Sequence, residues 1–312
     1  MLLGLACFSI IWYRLKPEFT AQNWSLLSQQ LFSAKGALCL AAAIALIPVN
    51  WGIEAYKWKL ITAPVQSISF FRANQSVYSG VCLGNLAPGR ATEFLAKIIY
   101  FDADKRSAVT VLHFVGGLFQ LSITIICGFL ALYSQLHVLG ESFAWMQVVL
   151  PIIGLVLLVA LCLSVWKINT LLAFITKRIS KEKETSELHY RFTALQLIQL
   201  SFFSFMRYSV FFLQFYLLMS LLSAGSLLAI IPGIALYFLI TTILPMFSAI
   251  EAAVRAAVAL VVFKESGIAA TGLALSSVLL WIVNIIVPSA IGYVFLVREK
   301  FDFKLVRKKT KA

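Results

Sequence analysis

Five ionisable side chains lie within apolar stretches of this chain, and their types and spacing could hold an anion. They are three arginines and two glutamates: Arg90, Glu93, Arg207, Glu251 and Arg255. Each charge costs roughly 2.5–3.5 kcal/mol at the centre of a membrane helix, and a bundle held together by packing alone would need none of them. Three bases against two acids leave one surplus positive charge, which suits a phosphate group. A buried salt-bridge network with a purely structural role is the alternative that the sequence leaves open.

The first of these charges follow a proline–glycine pair in the stretch Val81–Lys97. Proline removes a helical donor and glycine loosens the backbone, so we predict that a helix breaks at Pro88 and Gly89. A second helix can begin there, with the proline in its first turn. The free N–H groups of such a helix start attract an anion, and Arg90 adds a full charge. Asn85, just before the break, completes this group of candidate binding residues.

A related stretch recurs downstream, where Pro245 precedes Glu251 by six residues. In the first stretch, Pro88 precedes Glu93 by five. Each glutamate has a base four residues later, which is the favourable order on one helix face. Two proline-broken apolar segments at corresponding places in two halves indicate a transporter site. The alternative is that the second glutamate only completes a capping box and the first is only a first-turn acid.

The composition predicts a polytopic helical membrane protein. The chain has 312 residues, of which 61% are hydrophobic and 12% are charged, whereas soluble domains are about half apolar and a quarter charged. A net charge of +13 would suggest a nucleic-acid partner for a soluble protein. Here the bases fall in loops and in the tail, so membrane orientation and anionic headgroups explain them better, and we expect no nucleic acid.

The thiols and imidazoles give no sign of a metal site or a cofactor. Five cysteines and three histidines are scattered through the chain without the paired spacing of a metal site. No nucleophile with a neighbouring base is visible either. We therefore expect no metal, no cofactor and no catalytic residues, and the chain is not predicted to be an enzyme.

The apolar segments predict about six spans and two re-entrant or broken-helix hairpins, arranged as two inverted repeats. The first repeat covers residues 1–134 with a hairpin at 66–101, the second covers 146–297 with a hairpin at 227–263, and a basic cytoplasmic tail covers 298–312. Three crossings in each half place the second half in the opposite orientation, because three is odd. The predicted spans are Met1–Tyr13 (short or truncated), Gly36–Tyr56, Ser107–Tyr133, Met146–Trp166, Leu195–Leu222 and Ala269–Val297.

Counting bases sets the expected orientation. Lys and Arg concentrate on one side of the predicted spans, and this bias places both termini in the cytoplasm. The count includes Lys57 and Lys97 among the cytoplasmic bases. We expect a multi-pass protein of the cell membrane, of the bacterial inner-membrane kind.

The motif around the first break resembles that of a known family. The Asn, Pro-Gly-Arg and Glu pattern is similar to that of the lysylphosphatidylglycerol synthase transmembrane region, a flippase-like integral membrane family. The matching positions are Asn85, Pro88, Gly89, Arg90 and Glu93, then Leu244, Pro245 and Glu251 in the second half, with the series Ser204, Arg207 and Gln214. The resemblance covers nearly the whole chain.

The resemblance implies the lipid-translocating part of that family without its soluble aminoacyltransferase domain. The expected ligand is a lipid with a polar or anionic headgroup, bound and moved between leaflets by Asn85, Arg90, Glu93, Arg207 and the Glu251–Arg255 pair. The alternative is a non-transporting membrane partner that presents a lipid to a glycosyltransferase or another lipid-modifying enzyme.

Overall fold

A computed structural model describes residues 2–18, 20–87, 90–135, 144–170, 191–222, 230–244 and 250–299. Within these ranges every regular element is helical. Four helices are long and apolar enough to cross a membrane: Ala34–Thr62, Arg106–Gln135, Ala194–Leu221 and Ala270–Arg298. The described part of the chain is therefore all-α and has the character of a membrane protein, as the composition predicts.

The helices follow one another with short connections. In the first half they are α1 (Leu2–Leu15), a 3₁₀ turn (Lys16–Glu18), α2 (Ala21–Leu31), α3 (Ala34–Thr62), α4 (Phe70–Gly84), α5 (Glu93–Ile98) and α6 (Arg106–Gln135). In the second half they are α7 (Ala144–Trp166), α8 (Ala194–Leu221), α9 (Ile231–Ile243), α10 (Glu251–Val262), α11 (Ala270–Trp281), a π-helical turn (Ile282–Ile286) and α12 (Val287–Arg298). The last three elements form one continuous span.

Four of the six predicted spans correspond to the four long helices. The predicted first span is α1, whose 14 residues fall short of the roughly 20 that a bilayer requires. It packs against α10 and α11. Helix α7 has 23 residues and contains a shorter apolar stretch, Val148–Leu157. A total of six spans therefore stays a prediction.

Two helix pairs stand where the hairpins are predicted, α4 with α5 and α9 with α10. The breaks themselves, Pro88, Gly89 and Pro245, lie outside the described residues. The predicted helix start at Pro88 therefore also lies outside the described residues. Arg90 has a φ of 58°, a left-handed conformation that no right-handed helix continues, and α5 begins only at Glu93. In both pairs the second helix therefore starts at the motif glutamate, since α10 begins at Glu251.

The helices of the two halves of the sequence pack against one another. Helices α3 and α8 lie side by side at the centre, where Gln214 donates to the carbonyl of Ala43 at 2.9 Å. Helix α4 packs on α12, and its counterpart α9 packs on α6. In each of these two helix contacts, a glycine allows the neighbouring helix to approach closely. A Cβ on Gly292 would collide with the carbonyl of Tyr78, and one on Gly128 would lie 2.5 Å from Leu239.

The last span changes its helical pitch between α11 and α12. Pro288 has no N–H to bond to the preceding turn, and five residues before α12 form the π-helical turn. Such turns frequently accompany functional sites. Here the turn directs Asn284 inward, where its carbonyl oxygen accepts a 3.0 Å hydrogen bond from Asn50 on α3.

Candidate functional site

Glu54 on α3 is the centre of a buried charge network. One of its oxygens lies 2.8 Å from Lys57 Nζ and 3.4 Å from Arg207 Nη1 on α8. The other oxygen lies 3.6 Å from Lys97 Nζ on α5. One carboxylate therefore ties three cations from three different helices together.

Glu93 extends the network into the first hairpin. Its Oε1 lies 2.8 Å from Lys97 Nζ, one turn along α5. Its Oε2 lies 3.2 Å from Arg90 Nε, in the connection before that helix. Lys97 thus bridges the two glutamates, and its side chain is only 2% exposed.

Two glycines on α4 make room for this arrangement. A Cβ on Gly80 would lie 2.9 Å from Lys97 Cγ and 3.1 Å from Glu93 Cγ. A Cβ on Gly84 would lie 3.2 Å from Glu93 Cβ. The side chains of α5 therefore lie directly on the backbone of α4, a close approach that small residues four apart allow.

Aromatic rings cover the cations on their remaining sides. The guanidinium of Arg207 lies 4.9 Å from the ring of Trp51 and 5.0 Å from that of Phe211. The ammonium of Lys97 lies 5.1 Å from the ring of Trp58. These contacts are favourable when the cation is desolvated, and they keep Arg207 between two helices.

The second hairpin carries a simpler pair. Glu251, the first residue of α10, accepts from Arg255 Nε at 3.0 Å and from Nη2 at 2.8 Å through one oxygen. The pair stays on one helix, and within the described ranges no second cation lies at ion-pair distance from Glu251. The predicted i,i+4 geometry is present in both hairpins.

A cavity of about 160 Å³ brings the two halves of the site together. Arg90 from the first hairpin and Arg255 from the second both line it. The surrounding wall combines aromatic and small polar side chains: Trp51, Tyr208, Trp281, Gln120, Thr241 and Asn284. Thr242 lies at its edge and is exposed on the outside of the molecule.

Several buried donors around this cavity have no hydrogen-bond partner within the described chain. They are the indole nitrogens of Trp51 and Trp281 and the Nη2 of Arg90. Trp51 is 1% exposed. Buried donors normally have partners, so each group without one asks for an explanation, such as a ligand or an ion.

The charges around the site are unbalanced. Five cations and three carboxylates make up the described set: Lys57, Arg90, Lys97, Arg207, Arg255, Glu54, Glu93 and Glu251. The surplus is two positive charges. The five charges predicted from the sequence have a surplus of only one. A site with this balance and this set of donors can hold an anion.

The structure brings five of the predicted site residues to the network or the cavity, and leaves Asn85 apart. Arg90, Glu93 and Arg207 belong to the network, and Arg255 lines the cavity with Glu251 bound to it. The amide of Asn85 instead donates to Ser289 on α12. This hydrogen bond links the first hairpin to the last span.

Glu54 and Lys57 are the functional candidates that sequence reasoning missed. From the sequence alone the two side chains indicate only a local pair, because they lie three residues apart on one helix. Lys57 and Lys97, which the base count places among the cytoplasmic bases, are 1% and 2% exposed, and both pair with Glu54. A signal existed in the spacing of Asn50, Glu54 and Lys57, which places three polar side chains on one face of an apolar helix.

No protein-family model matches the chain, and no curated protein is detectably similar to it. The resemblance to the lysylphosphatidylglycerol synthase transmembrane region therefore stays a prediction that depends on the motif residues alone.

Proposed function

We propose that this protein binds the polar or anionic headgroup of a membrane lipid in the central cavity and carries it between the two leaflets. The observation that supports this most is the shared cavity. Arginines from two separate hairpins line it, together with buried donors that have no partner. Ionisable groups placed at membrane depth mark substrate pathways.

Each residue of the site has a role in this proposal. Arg90 and Arg255 bind the lipid phosphate, because guanidinium groups form strong charge-assisted hydrogen bonds with phosphate oxygens. Glu93 and Glu251 orient them through the ion pairs at 3.2 Å and 2.8 Å. Glu54 and Arg207 hold α3, α5 and α8 together around the cavity.

We further propose that the two halves are inverted repeats of a flippase-like family. The mirrored packing of α4 on α12 and α9 on α6 supports this proposal. So does the start of α5 and α10 at the two motif glutamates. In transporters of this kind the substrate site lies where the two repeats meet, and residues from both halves of the sequence line the cavity.

Headgroup movement in purified vesicles tests the function. The protein is reconstituted into vesicles of phosphatidylethanolamine and phosphatidylglycerol that carry a trace of head-labelled phosphatidylglycerol, and a membrane-impermeant reagent then quenches the outer leaflet. The native protein should expose the inner label. Arg90→Ala should abolish this movement while folded protein is retained, and Glu93→Gln should be milder because the amide keeps an acceptor oxygen.

Arg72→Ala is the matched control, since Arg72 also forms an ion pair, with Glu299, but lies away from the cavity. It should move lipid at the native rate. Movement that Arg90→Ala leaves unchanged would contradict the proposed role. A native protein that binds lipid but never moves it would favour the alternative, a partner that presents lipid to a modifying enzyme.

A further inference from the structure

The cavity's hydrogen-bonding groups restrict the chemistry of its ligand. The buried donors of Trp51, Trp281 and Arg90 line the cavity and have no hydrogen-bond partner in the described part of the chain. The Tyr208 hydroxyl, which can donate or accept, also lines the cavity and interacts with Cys127. The acceptor oxygen of Asn284 is already bonded to Asn50. A ligand that satisfies this wall must therefore present oxygen acceptors toward it.

The surplus of two positive charges restricts the ligand further. A phosphate monoester carries about −1.5 to −2 charges at pH 7, which matches the surplus. A phosphodiester has one negative charge and leaves part of the positive surplus uncompensated. A zwitterionic or cationic headgroup brings an ammonium group next to Arg90 and Arg255, and like charges at this depth repel strongly because the interior screens them poorly.

The volume of the cavity is sufficient for a phosphate group. About 160 Å³ corresponds to roughly five waters at about 30 Å³ each. This space accepts a phosphate group, and Trp51, Phe238 and Trp281 lie along its wall.

From these three observations, we infer that the cavity is selective for a phosphate monoester, carried by a lipid such as phosphatidic acid, over diester, zwitterionic and cationic headgroups. The lipid source of the phosphate rests on the proposed function. The selectivity for a compact dianion rests on the cavity itself.

Binding in detergent tests the selectivity separately from transport. The full chain is titrated by calorimetry with dioctanoyl phosphatidic acid, dioctanoyl phosphatidylglycerol, dioctanoyl phosphatidylcholine and inorganic phosphate. Phosphatidic acid should bind about tenfold or more tightly than phosphatidylglycerol, a difference of about 1.4 kcal/mol, and phosphatidylcholine should show no saturable binding. Tighter binding of phosphatidic acid than of inorganic phosphate identifies a lipid-borne ligand, whereas equal affinity identifies free phosphate. Both results support the dianion site.

Variants locate the binding site. Arg90→Ala and Arg255→Ala should each weaken binding of phosphatidic acid about tenfold or more, since each removes a charge-assisted contact. Trp281→Phe keeps an aromatic ring but removes the indole N–H, and should weaken it about threefold to tenfold. Arg72→Ala should bind as the native protein does.

Equal affinity for phosphatidic acid and phosphatidylcholine in the native protein would overturn the inference without recourse to any variant. Binding that survives both arginine substitutions and Trp281→Phe would also overturn it. Selective binding without headgroup movement in vesicles would contradict the proposed transport and leave the selectivity standing, so the two failures are distinguishable.

Discussion

The two hairpins carry the same Glu-to-base spacing but use it differently. In the first, Glu93 lies between Arg90 and Lys97, and Lys97 also forms an ion pair with Glu54 on α3. In the second, Glu251 and Arg255 form a pair on one helix. A local motif that looks equivalent in sequence is thus part of an ion-pair network of several helices in one half. In the other half it is a single ion pair, whose Arg255 also interacts with Tyr237 on α9.

The backbone explains much of this difference. Helix α5 has six residues and follows a left-handed Arg90, so its side chains are held by tertiary contacts more than by its own hydrogen bonds. Helix α10 has 12 residues and packs along α11. We infer that the first hairpin depends on its charges for position and that the second depends on packing.

The largest expected effect comes from a substitution that breaks the ion-pair network at its centre. Glu54→Gln removes the carboxylate that compensates Lys57 and Arg207, and the buried cations are then unpaired. We expect a loss of about 3–5 kcal/mol in the free energy of unfolding, measured by denaturant titration in mild detergent. Arg72→Ala, which opens a partly exposed pair, should cost about 0–1 kcal/mol. A Glu54→Gln protein as stable as this control would show that the network does not hold the first hairpin.

The next prediction compares the two motif arginines directly. Arg255→Ala leaves Glu251 buried without a cation and should cost about 3–5 kcal/mol. Arg90→Ala should cost only about 1–2 kcal/mol, because Glu93 keeps Lys97 at 2.8 Å. The measurement is again denaturant unfolding in detergent.

A double substitution checks the reason for that difference. If the isolated carboxylate causes the loss, adding Glu251→Gln to Arg255→Ala should restore much of the stability, and the two changes should be non-additive. Additive losses would instead mean that Arg255 acts through packing, which would reverse the contrast between the hairpins.

Sequence reasoning predicted the helical membrane class, the four long spans and the positions of the helix pairs, because apolar length and proline placement are local properties. It singled out Arg90, Glu93 and Arg207, since charges in apolar runs stand out, and their role in a binding site stays a prediction. It missed the role of Glu54, because the partners of Glu54 on α5 and α8 are distant in sequence. Counting bases by loop also takes no account of burial, and Lys97 is covered by α4 and α3 only in the folded chain.

A smaller effect tests the close approach of α4 and α5. Gly80→Ala places a methyl group 2.9 Å from Lys97 Cγ, so the side chains of α5 must shift. Overpacking of this kind costs about 1–3 kcal/mol. Gly117→Ala on α6 meets nothing within 4 Å and should be neutral or stabilising by up to about 1 kcal/mol. Equal stability of the two variants would show that the network tolerates displacement of α5.

The smallest expected effect concerns the connection that positions Arg90. Thr92 donates its hydroxyl to the carbonyl of Leu83 at 2.6 Å and so ties the start of α5 to the end of α4. In the second hairpin Ile250 precedes α10 without any side-chain cap. Thr92→Val keeps the shape of the side chain and removes the hydrogen bond, at a cost of about 1 kcal/mol.

The matched control is Thr110→Val, because the hydroxyl of Thr110 bonds within its own helix. Hydrogen exchange at residues 90–98 should quicken in Thr92→Val and stay native in Thr110→Val. Unchanged exchange in both would mean that the charges alone position the first hairpin.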